Sequence, residues 1–315
     1  MWRSLNITSS GLLAVMNEIA VRAQERPERP QHFPDLRKFE QLRLASDYSG
    51  DQRGAKYRSY SFLLTSHESW AAWETERLRL RDRFHLEGRR MRYSRLSDTR
   101  RAEVLPHFLA AAGALHGLSV TVLVNHSVAY PFGGPIDPSK FPTLRYKDWK
   151  PATLERLIRV VSLAAFVVGG MSDHRQHVDW VTDEDPIAAT DVQVDDLKKT
   201  LAGALSRVMR DPPSFDFQIT AGDLELEDLA SIPDLIAGVL SELLREYESE
   251  GVELNSDLSA PPRNLSDRAK LLMDWFSNPD LALQRFVLFV DPAPGRDDGV
   301  FKVTELGLQH GQPQT

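Results

Sequence analysis

The chain has 315 residues, enough for one large domain or two small ones, and 42% of them are hydrophobic, so it can bury a core. It contains no cysteine, which excludes a disulfide scaffold, a thiolate metal site, an iron–sulfur cluster and a cysteine nucleophile. The net charge of −7 conceals two unlike regions: residues 37–101 have 16 basic and 9 acidic side chains, whereas residues 171–260 have 6 basic and 21 acidic ones.

Residues 1–38 predict a helical arm and linker outside the main fold. Apolar residues recur at helical spacing over residues 10–24, and a stretch rich in proline and arginine follows. The helix would be available to a protein partner or to a second copy of the chain. The chain shows no secretory signal, and its longest apolar run, Leu163–Gly170, is far short of the roughly 20 residues that cross a bilayer. We therefore expect a cytoplasmic protein with no membrane partner.

From residue 39 onwards, predicted strands and helices alternate. The strands fall at 42–46, 57–65, 118–124, 178–182, 215–220 and 285–290, and the helices at 66–84, 98–116, 150–168, 194–209, 233–247 and 266–277. Such alternation is typical of an α/β sheet flanked by helices. We expect the main domain over residues 39–250 and a helix–strand appendage over residues 251–315.

Acidic residues stand where several of these elements begin or end. Asp47 follows the first strand, Asp183 and Glu184 follow the fourth, and Asp234 stands in the first turn of a predicted helix. Ligand sites of α/β sheets lie beyond the carboxyl ends of strands. Carboxylates that converge there repel one another unless a divalent cation holds them, and oxygen ligands favour Mg²⁺ or Mn²⁺. Such ions can catalyse phosphodiester hydrolysis.

Each of these positions also has a purely structural interpretation. An Asp before Ser-Gly is common in turns, an Asp at a helix start complements the helix dipole, and residues 183–185 could form a solvated loop. His174 and His177 beside Asp173 have a spacing compatible with metal binding. We interpret them as polar surface residues, with a metal role beside Asp183 as the alternative.

The order of the elements and several short strings resemble the domain-of-unknown-function family 3800. Asp47-Tyr48-Ser49-Gly50-Asp51 stands where that family has a strand followed by Asp-Glu-Ser-Gly-Asp. Residues 90–94 are similar to its Glu-x-Lys-aromatic-Ser string, residues 178–184 to its strand ending in an acid, and residues 233–238 to its alanine–Asp–Leu-Ile-Ala helix start. The resemblance covers residues 40–248, about two thirds of the chain.

The resemblance implies a ribonuclease-H-like fold, which is a mixed sheet flanked by helices. It also implies metal-dependent hydrolysis of nucleic-acid phosphodiester bonds. In this chain Asp47 and Asp234 would bind Mg²⁺ or Mn²⁺, Asp183 or Glu184 would be the third ligand, and a metal-activated water would be the nucleophile.

Two departures from the family pattern favour a second interpretation. Tyr48 replaces the family's Glu, and Arg90 stands where the family has another acid. A positive charge disfavours cation binding unless it points to a phosphate. The alternative is a catalytically lapsed ribonuclease-H-like fold that acts as a binding or assembly subunit.

Ten arginines fall between residues 77 and 101, and the densest group lies at residues 89–95, which we call the arginine segment. Arginine binds phosphates well, and an aromatic ring can stack on a base. We predict that this segment contacts a DNA or RNA backbone, and a solvated basic surface is the alternative. The residues concerned are Arg89, Arg90, Arg92, Tyr93 and Arg95.

Overall fold

A computed structural model describes residues 1–7, 11–26, 32–50, 55–128, 149–182, 186–220, 223–252, 262–293 and 301–306. The strands within these ranges are β1 (Gln41–Ser49), β2 (Tyr57–Ser66), β3 (Gly117–Asn125), β4 (His177–Thr182), β5 (Ser214–Ile219), β6 (Leu283–Pro292) and β7 (Phe301–Glu305). The α-helices are α1 (Leu12–Glu25), α2 (His67–Arg83), α3 (Thr99–Gly113), α4 (Pro151–Met171), α5 (Asp191–Val208), α6 (Leu224–Ser249) and α7 (Asp267–Ser277).

The strands form one mixed sheet in the order β5-β4-β1-β2-β3-β6-β7. β1, β2 and β3 are antiparallel neighbours, as consecutive strands commonly are. β4 adds to β1 and β5 adds to β4 in the parallel direction, each after a helix. β6 is parallel to β3, and β7 is antiparallel to β6. The prediction of a mixed α/β sheet flanked by helices is confirmed.

Two apolar clusters cover the two sides of this sheet. One, here called the α4 face, contains side chains of α1, α4 and α5. The other, the α6 face, contains side chains of α2, α3, α6 and α7. Because side chains alternate along a strand, each central strand contributes to both clusters. On β1, for example, Leu44 belongs to the α4 face and Ala45 to the α6 face.

The first helix, which the sequence places in an N-terminal arm, packs on the α4 face of the sheet. Leu12 and Met16 are fully buried in the cluster of the α4 face. The ring of Trp2 lies 4.7 Å from that of Phe166 on α4, and its Nε1 donates to Asn17 Oδ1 at 3.1 Å. The apolar stripe that predicts this helix also explains its burial, because the α4 face covers that stripe.

The C-terminal strands belong to the same sheet as the rest. β6 pairs with β3 over eight residue pairs from Gly117↔Leu283 to Val124↔Val290, and β7, which no pattern in the sequence predicts, pairs with β6. Arg285 on β6 is buried, and its guanidinium donates to carbonyls of the preceding turn, including that of Phe276 at 2.8 Å. Burial lowers the pKa of Arg285 to about 10. The domain boundaries at residues 38 and 250 stay a prediction.

Two boundaries differ from the prediction at proposed site residues. β1 continues to Ser49, so Asp47 lies inside a strand, opposite Ser61, instead of after one. α6 begins at Leu224, so Asp234 lies in the middle of a helix and not in its first turn. The side chain of Asp223 caps that helix by accepting from the amides of residues 225 and 226. A proline suggests a first-turn position, but this helix contains Pro233 in its interior.

None of the helices in the described ranges combines the length and the hydropathy that a bilayer-crossing segment requires.

Candidate functional site

Asp47 lies on the α6 side of the sheet. Its neighbours two residues away, Ala45 and Ser49, both point to that side: Ala45 packs in the cluster of the α6 face, and Ser49 Oγ lies 3.2 Å from Ser241 Oγ on α6. Alternation along the strand gives Asp47 the same direction. Its side chain is half-buried. Tyr48 points the opposite way, with its hydroxyl 2.7 Å from Ser46 Oγ.

The next proposed ligands, Asp183 and Glu184, lie outside the described residues. The parallel register of β1 and β4 runs from Gln41↔His177 to Ser46↔Thr182. In the sequence, the residues that follow this last pair are Asp47 and Asp183. Their mutual distance stays a prediction.

Asp234 holds the arginine segment against α6. Its Oδ2 accepts a hydrogen bond from the backbone amide of Tyr93 at 2.6 Å. One turn earlier on the helix, the hydroxyl of Ser231 donates to the carbonyl of Met91, whose side chain is buried. The segment ends in a 3-10 turn over Tyr93–Arg95. Its backbone is therefore anchored at two points along α6.

Tyr93 is engaged in contacts within the chain. Its hydroxyl donates to Glu242 Oε2 at 2.6 Å, and the guanidinium of Arg268 lies 5.2 Å from its ring centre. The ring also packs against Gly238, where an added Cβ would lie 2.2 Å from Tyr93 Cγ. Burial, strengthened by the bond to Glu242, raises the pKa of Tyr93 well above its ordinary value. Burial opposes ionisation of Glu242, but hydrogen bonds from Ser266 and Tyr93 lower its pKa overall.

The arginines of the segment differ in exposure. Arg90 Nη1 lies 3.6 Å from Glu227 Oε1, and its side chain is 17% exposed. Arg89 is 38% exposed, with Nη1 3.9 Å from Glu87 Oε2, and Arg95 is exposed. Arg92 is half-buried. Arg89 and Arg95 are therefore the members best placed to meet a phosphate backbone from solvent.

A second constellation lies at the amino ends of β4 and β5. His177 Nε2 is 3.2 Å from Asp179 Oδ1 and 3.6 Å from Asp216 Oδ2, and we call these three residues the histidine–aspartate cluster. Ser214 Oγ lies 2.9 Å from His177 Nδ1. One ligand atom from each member lies within 4.8 Å of the others, so together they could hold a metal ion.

This cluster was missed as a unit in the sequence. His177 and Asp179 alternate along one strand, as Ser214 and Asp216 do along another. The strands come together only through the parallel pairing of His177 with Ser214 and of Asp179 with Asp216. Because α5 separates them in the chain, no local spacing relates the two pairs.

Arg43 on β1 adds a cation beside the cluster. Its Nη2 lies 3.9 Å from Asp179 Oδ2 and its Nη1 3.8 Å from Glu225 Oε1, while its guanidinium stacks 3.8 Å from the ring centre of Trp70. Burial lowers the pKa of Arg43, although the carboxylates of Asp179 and Glu225 act in the opposite direction. The second oxygen of Asp179 therefore faces a positive charge, while the first faces the imidazole.

Comparisons with known protein families and with curated proteins find no match for this chain.

Proposed function

We propose that this protein is a ribonuclease-H-like member of family 3800 that hydrolyses nucleic-acid phosphodiester bonds with Mg²⁺ or Mn²⁺. The proposal rests on the observation that Asp47 and α6 lie on the same side of the sheet. On α6, Asp234 holds the arginine segment. Carboxylates and arginines are thus supplied on one face of the sheet. Catalytic carboxylates would hold the cation there, and the arginines would hold the substrate backbone.

The sheet supports the fold assignment. Three consecutive antiparallel strands, β1 to β3, are extended on the β1 side by two parallel strands, each preceded by a helix. This arrangement is compatible with a ribonuclease-H-like sheet. Asp47 lies near the carboxyl end of β1, and in the sequence Asp183 and Glu184 directly follow the carboxyl end of the neighbouring β4. Ligands of α/β sheets bind at this edge.

The chemistry of the proposed ligands suits a hard cation. Asp47, Asp234 and either Asp183 or Glu184 offer only carboxylate oxygens, which Mg²⁺ and Mn²⁺ prefer. The amide of Tyr93 would orient the carboxylate of Asp234 through its Oδ2. When bound, the ion supplies charge stabilisation and an activated water. Arg89 and Arg95 would position the phosphates on the solvent side.

The alternative, a lapsed nuclease that binds without cleaving, is favoured by one contact. The amide of Tyr93 already uses an oxygen of Asp234, so this Asp has a structural role that would persist without catalysis. Arg90 does not argue for the alternative, because it pairs with Glu227. Nor does Tyr48, because its side chain packs on the side of the sheet opposite to Asp47, with its ring centre 6.1 Å from that of Phe62.

The test is cleavage of labelled single- and double-stranded DNA and RNA with Mg²⁺ or Mn²⁺. Asp47→Asn and Asp234→Asn should abolish cleavage, whereas the exposed Asp211→Asn should retain it. Circular dichroism would verify that each variant is folded. If the wild type cleaves none of these substrates, or if Asp47→Asn cleaves normally, the nuclease proposal is wrong.

Binding separates the two interpretations. Replacing Arg89 and Arg95 by Ala should weaken nucleic-acid binding and reduce the salt dependence by about one phosphate contact per arginine. A wild type that binds with this salt dependence but does not cleave would support the lapsed enzyme. A wild type that neither binds nor cleaves nucleic acid would contradict both the nuclease proposal and the lapsed-nuclease alternative.

A further inference from the structure

We infer a separate cation site at the histidine–aspartate cluster, for a first-row transition-metal dication of the Zn²⁺ type. His177 Nε2 lies 3.2 Å from Asp179 Oδ1 and 3.6 Å from Asp216 Oδ2. Donor atoms bound to one metal at about 2.0–2.2 Å lie at such separations from each other. The three groups need only small side-chain rotations to bind a shared ion.

The imidazole is held in the orientation that such a site needs. A metal-binding histidine usually uses its other ring nitrogen in a hydrogen bond that sets the tautomer and the ring direction. His177 Nδ1 lies 2.9 Å from Ser214 Oγ, which leaves Nε2 directed toward the two carboxylates. Ser214 is directly opposite His177 in the β4–β5 register, so the sheet itself sets this bond.

A cation between the two carboxylates would lower their mutual repulsion. Asp179 and Asp216 are direct neighbours on parallel strands, and like charges in that relation destabilise a sheet. Arg43 lies on the other side of Asp179, at 3.9 Å from Oδ2, and so it orients this carboxylate without standing between the two acids. A dication bound at Oδ1 would relieve the repulsion and keep the contact with Arg43.

The types of donor atom indicate which metal the site would prefer. One imidazole nitrogen with two carboxylate oxygens suits Zn²⁺ and its first-row neighbours, whereas Mg²⁺ prefers oxygen alone. The site is open to solvent, since the side chain of Asp216 is 68% exposed and that of His177 is 31% exposed. A cavity of about 610 Å³ beside the amino ends of the strands is lined in part by His177 and Ser214. Three protein ligands would leave a coordination position for water.

This site is distinct from the one proposed for hydrolysis. His177 is opposite Gln41, six residues before Asp47 on β1. Asp179 is opposite Arg43, four residues before Asp47. At roughly 3.3 Å per residue, the cluster therefore lies about 13–20 Å from Asp47 along the strand. Occupancy of the histidine–aspartate cluster can therefore be measured without reference to nuclease activity.

The experiment is calorimetric titration of the full chain with Zn²⁺ alone, in a buffer that contains excess Mg²⁺ to saturate oxygen-only sites. We expect one Zn²⁺ per chain. His177→Gln and Asp216→Asn should weaken its affinity by more than about 100-fold, and Ser214→Ala by about 10-fold, as the loss of an orienting partner does. His174→Gln is the matched control, because it removes an exposed histidine three residues earlier and should change nothing.

A spectroscopic measurement guards against unspecific binding. Co²⁺ in place of Zn²⁺ should give a visible absorption band that Asp216→Asn abolishes and Asp47→Asn preserves. Because Asp216 is largely exposed, its substitution should leave the fold intact. Equal Zn²⁺ affinity in the wild type, His177→Gln and Asp216→Asn would overturn the inference, as would no binding by the wild type. A wild type without nuclease activity would leave it untouched.

Discussion

α4 and α6 cover opposite faces of one sheet, and each contains a glycine against which an aromatic ring packs. On α4, a Cβ added to Gly170 would lie 2.3 Å from the indole of Trp2, and on α6, a Cβ added to Gly238 would lie 2.2 Å from Tyr93 Cγ. On both helices the absence of a side chain at the glycine lets a segment that is distant in sequence pack closely. The surroundings of the two rings, however, differ.

Trp2 lies among other aromatic rings, with Phe166 at 4.7 Å and Phe33 at 5.8 Å between ring centres. Around Tyr93 the partners are polar, since Asp234 accepts from its amide and Glu242 from its hydroxyl. Asp228 of α6 is 1% exposed and accepts from two arginines. Around Trp2 the α4 face therefore stabilises the sheet by apolar packing, whereas around Tyr93 and Asp228 the α6 face also holds charged groups in defined positions, as a site requires.

The largest effect is expected on the α4 face. Phe166 is fully buried, so Phe166→Ala should lower the free energy of unfolding by about 3–5 kcal/mol through lost burial and a cavity. Urea denaturation would measure this change. A loss below about 1 kcal/mol would mean that this face is not densely packed and would break the comparison.

On the α6 face, Asp228→Asn should cost about 3 kcal/mol. Its Oδ2 accepts from Arg77 Nη1 at 2.9 Å and from Arg81 Nη1 at 2.6 Å, so the variant removes the carboxylate that these two buried guanidinium groups share, although Arg77 keeps its pair with Glu74. The control is Asp195→Asn, which removes an exposed ion pair with Lys199 and should cost less than about 1 kcal/mol. Equal effects in the same urea titrations would show that the buried network contributes no more than a surface pair.

The two glycines allow a matched test. Gly170→Ala and Gly238→Ala should each destabilise the protein by about 1–3 kcal/mol, because the new methyl group forces the facing ring to move. Only Gly238→Ala should also speed tryptic cleavage within the arginine segment, since Tyr93 anchors it. Only Gly170→Ala should shift the fluorescence of Trp2. If either variant produced both changes, the faces would not be independent.

The smallest expected effect is a change in how protein stability depends on pH in the acidic range. Hydrogen bonds hold the pKa of Glu242 below its ordinary value of 4.5, so its contribution is present above that pH and is lost as the pH falls further. Glu242→Gln should therefore lose less stability than the wild type between about pH 5 and pH 3. Burial raises the pKa of Glu225, and Glu225→Gln should show the opposite trend. Thermal unfolding at several pH values measures both.

Local pattern was sufficient for most elements of the fold. The strand at 178–182 and the helix at 266–277 were predicted to within one residue of β4 and α7, because alternating or helical spacing and a Ser cap are local signals. For α6 the sequence predicts a start nine residues too late, because Pro233 suggests a first-turn residue, while the true cap, Asp223, precedes a strongly acidic turn. β7 was missed because it is short and only half-buried.

The sequence by itself determined the alternation of strands and helices, the acidic and basic regions, and the residues available for chemistry. The tertiary structure alone decided which of these residues meet. Tyr93 reaches Asp234 across 141 residues of sequence, and His177 reaches Asp216 only because β4 and β5 pair in a particular parallel register. Register and helix docking depend on burial summed over the whole sheet, and no short segment of the chain contains that information.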